Sequence, residues 1–229
     1  MMLVVLGFIV TWFLYVPVHE LLHAVGCWAT GGTVTELQID TKYGGGILKQ
    51  WFPFVVAGGG PYAGRLTGFD THGSDLVYLA TDFMPFVLSL FPGVSLLFVC
   101  RRRSRPWLLG ASVVLGLAPF YNATGDYYEM GSIVVTRVWT WSVGADSGTL
   151  GYTFVRSDDV FRLLGELIAT RTELGLTSAG RVLVTAGLVV LSMAVSILLA
   201  FASYAAGRVL AVRVVGDGNP AGGRPGNGA

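Results

Sequence analysis

Apolar residues dominate four long stretches of the chain, at about 2–28, 75–100, 107–135 and 181–212. Each is long enough to cross a hydrocarbon core of roughly 30 Å as a helix. A shorter apolar stretch, 51–69, is broken by Gly58-Gly59-Gly60-Pro61, Gly64 and Gly68, which suits a re-entrant loop or a broken helix better than a straight span. Between Gly31 and Gln50 the period changes. Thr33 to Asp40 alternates small or polar residues with apolar ones, and Gly44-Gly45-Gly46 supplies a turn, so a strand or short hairpin is predicted at the membrane face. Ser157-Asp158-Asp159 marks a helix start, and Val160, Leu163, Leu164, Leu167 and Ile168 form the stripe of an amphipathic helix.

The expected fold is an all-α membrane protein of about four transmembrane helices, with a short membrane-face β-hairpin and a Gly-rich re-entrant loop. Residues 1–135 form the membrane-embedded core, 136–180 an extramembrane loop, 181–215 a C-terminal transmembrane helix, and 216–229 a disordered Gly/Pro/Asn tail.

Composition supports this. The 229 residues are 53% hydrophobic and only 13% charged, about half the charged fraction of a soluble domain. A net charge of +1 without long charge blocks argues against a nucleic-acid partner. Cys27 and Cys100 lack metal-finger spacing and fall on opposite membrane faces, so no disulfide is expected. The apolar N-terminus has no basic n-region and reads as a retained span. The cluster Arg101-Arg102-Arg103-Ser104-Arg105 marks the cytoplasmic side of a multi-pass plasma-membrane protein, with spans one and three running outward. Loop 136–180 then lies outside despite Arg137, Arg156, Arg162 and Arg171, as longer loops obey charge bias less.

Chemistry concentrates in the first span, at His19-Glu20-Leu21-Leu22-His23. Histidines four apart on a helix share a face and can reach one zinc ion, while the adjacent Glu20 is placed to polarise water. Ionisable groups are costly inside a bilayer, so this cluster points to function. A catalytic zinc site needs three protein ligands. The remaining histidine, His72, sits in the polar loop Asp70-Thr71-His72-Gly73 and reads as solvated.

Carboxylates within the spans are better candidates. At about 1.5 Å per residue, Met2 to His19 and Trp107 to Asp126 climb about 26 and 28 Å, so parallel helices bring these residues to one level. Asp126 ranks first as third ligand, Glu129 second and Asp82 third. Gly60, Gly64 and Gly68 either let helices approach closely or belong to a loop that holds an extended peptide. Arg65 is expected to snorkel to the interface. Asn122 is placed to donate to a developing oxyanion.

Residues 2–135 resemble the site-2 protease family of intramembrane zinc metalloproteases. The likeness rests on His19, Glu20 and His23, on Ala57-Gly58-Gly59-Gly60-Pro61, and on Asn122 with Asp126. The chain departs from the family pattern in having Pro119 before Asn122 and Tyr127 after Asp126, as a divergent member would. The resemblance implies a zinc-dependent endopeptidase with His19, His23 and Asp126 on the metal, Glu20 and Asn122 in catalysis, and a membrane-embedded peptide or protein as substrate. A non-catalytic membrane metal-binding protein or metal-ion carrier with the same ligands is the alternative. A His-rich di-iron site is excluded by the histidine count of 3.

Overall fold

The computed structural model describes residues 1–60, 62–102, 105–143 and 152–215. Pro61, Arg103, Ser104 and the tail 216–229 lie outside them, and with them the expected disorder of that tail and the centre of the arginine cluster. Among the described residues, three helical stretches are long and apolar enough to cross a membrane: Met2–Ala29, Asp75–Cys100 and Ala179–Val214. The chain is a mostly helical membrane protein, and its described residues include a small three-stranded sheet.

Helix α1 (Met2–Ala29) turns one face inward, with Tyr15, Val16, His19, His23 and Cys27 buried, while Leu3, Leu6, Val10 and Leu14 are exposed. The recurrence of buried positions every three or four residues is the helical period itself. After α1 come strand β1 (Thr33–Asp40), a short helix α2 (Gly45–Trp51), and strands β2 (Val55–Gly58) and β3 (Gly64–Asp70).

The strand expected over Thr33 to Asp40 is present as β1, whereas the hairpin alternative and the broken helix considered for 51–69 are corrected. The segment after β1 does not fold back as a hairpin, because Gly44 turns through the left-handed region (φ 85°) directly into α2. β1 is instead the central strand, parallel to β2 and antiparallel to β3. Nor is 51–69 a broken helix, since its backbone groups pair with β1. Leu37, Ile39 and Val55 are fully buried beneath this sheet, which repays the ordering of so glycine-rich a segment. Gly60, Gly64 and Gly68 therefore form no helix-packing stripe.

The second span is interrupted rather than straight. Helix α3 (Asp75–Phe83), capped by the Ser74 hydroxyl, passes through a tight turn at Met84–Phe86 and a widened one at Ser89–Gly93 into α4 (Val94–Arg102). Pro85 and Pro92, which cannot donate to the helical ladder, lie in those turns.

The expected third span also needs correction, because 107–135 is three helices. These are α5 (Pro106–Gly116), α6 (Ala118–Tyr121) and α7 (Asp126–Ser142). Gly116 and Pro119 end the first piece, and the turn Asn122-Ala123-Thr124-Gly125 starts the last. α5 runs alongside α1 in the same direction: a Cβ on Gly7 would overlap the Trp107 carbonyl, and one on Gly110 the backbone near Val4. Tyr15 then packs with Val114, Ala118 and Tyr127 in the main core.

Beyond α7, helix α8 (Val160–Ala169) starts as its sequence predicts, with Asp159 accepting from the Phe161 and Arg162 amides. The last helix, α9 (Ala179–Val215), packs on α7 through Leu188 and Val189, with the Ser196 hydroxyl donating to the Ala123 carbonyl. Cys27 and Cys100 are free thiols.

Candidate functional site

The break before α7 decides the geometry of the site. It puts Asp126 in the first turn of a helix, where the unpaired amides favour a carboxylate. It also brings that carboxylate against the inward face of α1. Asp126 Oδ2 lies 3.1 Å from His19 Nε2, and its Oδ1 is 3.8 Å from His23 Nε2. The two Nε2 atoms are 3.2 Å apart. Both histidines are buried and the aspartate is mostly so.

The outer nitrogens of both rings are also held. His23 Nδ1 is 2.9 Å from the Thr81 carbonyl oxygen, which can only accept, so Nδ1 carries a proton, and in the neutral imidazole Nε2 presents a lone pair. His19 Nδ1 is 2.8 Å from the Tyr15 hydroxyl, which can accept in the same way. Nε2 lone pairs and a carboxylate then converge on one point, an arrangement that repels itself unless a cation or proton lies between.

These side chains are spaced close to what a tetrahedral zinc would require. Bonds of about 2.0–2.1 Å give ligand–ligand edges of about 3.3 Å; the two Nε2 atoms are 3.2 Å apart, and the nearest carboxylate oxygen is 3.1 Å from His19 (Oδ2) and 3.8 Å from His23 (Oδ1). Among the described residues, His19, His23 and Asp126 form the His/Cys/Asp/Glu group with ligand atoms all within 4.8 Å. The donor set fits zinc. A backbone carbonyl, as His23 Nδ1 meets at Thr81, is a usual second partner of a metal-binding imidazole.

The triad opens into a cavity of about 420 Å³ that Glu20, Asn122, Asp82 and Glu129 also line. Glu20 is half-buried and faces β3, where Gly64 leaves the space its carboxyl occupies; a Cβ there would overlap the Glu20 side chain. Asn122 directs Nδ2 to the Ala118 carbonyl at 3.2 Å, leaving one amide hydrogen. Glu129 and Asp82 stay out of the triad. Glu129 accepts from the Tyr78 hydroxyl at 2.7 Å, and Asp82 is buried on α3. His72 is exposed and pairs with Asp70 at 3.1 Å, as a solvated histidine does.

Across the cavity from the triad, charges hold the rim. Asp158, just before α8, accepts from Arg65 of β3 at 2.9 Å and from Arg162 of α8 at 2.6 Å. Arg65 therefore does not snorkel: it bridges sheet and loop, with its guanidinium 5.5 Å from the Tyr62 ring centre. Arg156 binds Asp75 at 2.7 Å and the Thr136 hydroxyl at 2.8 Å, tying the loop to α3 and α7.

Tyr15, Thr81 and Asp158 escaped sequence reasoning. Tyr15 was discoverable, since it lies one helical turn before His19 on the same face. The Thr81 contact is made by a backbone carbonyl and leaves no trace in residue type. Asp158 read only as a helix-start residue. Comparison of the chain with protein-family models, curated proteins and solved structures finds no match.

Proposed function

We propose that the protein is a zinc-dependent intramembrane endopeptidase, a divergent relative of the site-2 proteases in a multi-pass plasma-membrane setting. The observation that carries this reading is the convergence of His19, His23 and Asp126 beside Glu20, at the floor of a cavity walled by an edge strand. A bound zinc ion supplies a Lewis acid that polarises a carbonyl and makes water a nucleophile near pH 7.

The chain's own residues do the rest. Glu20 takes a proton from a cavity water as its oxygen attacks the peptide carbonyl carbon, and then delivers that proton to the departing amine nitrogen. The spare Nδ2 hydrogen of Asn122 serves the developing oxyanion. A substrate helix must unwind to reach this chemistry, and the outer edge of β3 beside Glu20 offers backbone groups to an extended segment.

Glu20→Gln is the decisive variant, because zinc binding does not need Glu20 and proteolysis does. Purified Glu20→Gln protein should keep its zinc, while new peptide termini in the membrane proteome, read by mass spectrometry, should vanish relative to wild type. General base loss lowers rates by about 10²–10⁴-fold. Unchanged termini with zinc retained would leave a metal carrier as the function.

A further inference from the structure

The most unusual feature of the cavity outside the triad is a pair of buried carboxyl groups, Asp82 and Glu129, that have no cationic partner among the described residues. Asp82 is 4% exposed and Glu129 8%, yet among the described residues neither forms an ion pair with a lysine, arginine or histidine. The nearby arginines are engaged elsewhere, Arg156 with Asp75, and Arg65 and Arg162 with Asp158. Among the described residues, Glu129 receives a hydrogen bond from Tyr78, and Asp82 Oδ2 is buried without a hydrogen-bond partner. A carboxylate pair offers about eight acceptor positions, and both residues line the cavity.

Position gives the pair a meaning. Asp82 follows Thr81, whose carbonyl fixes His23, and Glu129 stands three residues, about 4.5 Å, along α7 from Asp126. The pair thus adjoins the reaction centre without belonging to it. Resting on the protease reading above, we propose that Asp82 and Glu129 form a specificity subsite for a cationic side chain, a lysine or arginine, on a residue flanking the scissile bond. The four-carbon stem of a lysine can pass Leu66, Phe69 and Tyr78, which line the same cavity, and carry three donors towards the two carboxyl groups. Inside a membrane such a subsite is selective. A cationic residue in a substrate span is costly in lipid and gains most by reaching a buried carboxylate pair. Tyr78 holds Glu129 in place for it.

Binding tests this without cleavage. The probes are synthetic leucine–alanine membrane peptides carrying lysine, norleucine or Nε-acetyl-lysine at one central position. Their affinity for full-length, zinc-loaded Glu20→Gln protein is read by fluorescence anisotropy. The lysine peptide should bind at least about tenfold more tightly than the other two, as charge-assisted hydrogen bonds imply. Asp82→Asn/Glu129→Gln should bring the three together while zinc stays bound.

Equal affinities in the Glu20→Gln protein would overturn the subsite, and that comparison needs no change at Asp82 or Glu129. So would a lysine preference that survives the double substitution, or a second zinc lost with Asp82→Asn, which would make the pair a metal site. The two readings fail separately. Lysine preference in a protein that cuts nothing removes the protease and keeps the subsite, whereas proteolysis indifferent to charge does the reverse.

Discussion

The cavity has two sides built on different physics. Its floor is carried by α1, α3 and α7, where His19, His23 and Asp126 are fixed by packing against Tyr15, Phe86 and Tyr127 and by a buried backbone carbonyl. Its rim is carried by β3 and the segment before α8, where Arg65, Asp158 and Arg162 are partly exposed and held by charge. Packed groups in an apolar surround keep their geometry whatever the solvent contains, whereas exposed ion pairs weaken as salt screens them. The floor should thus hold its side chains at fixed spacing, while the rim contacts should weaken as salt rises.

The largest effects should come from the floor. Purified protein should carry about one zinc per chain, as expected for three protein ligands with an open position. His19→Ala and His23→Ala should each reduce this to background, and Asp126→Ala should do nearly the same. Elemental analysis checks this directly. Stoichiometric zinc surviving in the double histidine variant would move the site elsewhere and remove the floor's distinction from the rim.

What was legible beforehand follows the same division. His19, Glu20 and His23 share one helix, so their proximity is a matter of period and could be read from the chain. Asp126 was reachable by counting rise along parallel helices, even though Gly116 and Pro119 break the helix on which the count relied. The count survived because α1 and α5 start together at Gly7 and Trp107, while the break only redirects the chain locally. The sheet was half legible. β1 shows its alternation, but its partners lie in a Gly-rich stretch whose side chains carry no period. Pairing there is a backbone property set by the long-range burial of Leu37 and Ile39. The rim was invisible for a similar reason, since Arg65 and Asp158 are far apart in the chain and their attraction has no sequence pattern.

Tyr15→Phe should have a smaller effect. It keeps the ring that packs with Val114 and Ala118 but removes the hydroxyl 2.8 Å from His19 Nδ1. Loss of such a second partner typically lowers metal affinity about 10–100-fold. Competition with a chromophoric chelator measures this. Unaltered affinity would mean that packing alone orients His19, which sharpens the contrast rather than weakening it.

The smallest effect belongs to the rim. Asp158→Asn removes the charge that Arg65 and Arg162 share and one of the two acceptor oxygens, but the Arg65 side chain is 39% exposed and that of Asp158 25%. Exposed pairs contribute about 0.2–1 kcal/mol each, and in a chain of this size 1 kcal/mol moves Tm by about 2–4 °C. Zinc content should stay at the wild-type level, and Tm should fall by no more than a few degrees at low salt. The difference from wild type should shrink at high salt, because screening has already weakened the pair in the parent. Calorimetry at two ionic strengths with parallel metal analysis reads both quantities. Loss of zinc in Asp158→Asn would show that the rim helps to hold the ligands in place. A salt-independent loss of Tm would show that Asp158 acts through packing, and in either case floor and rim would be one structural unit.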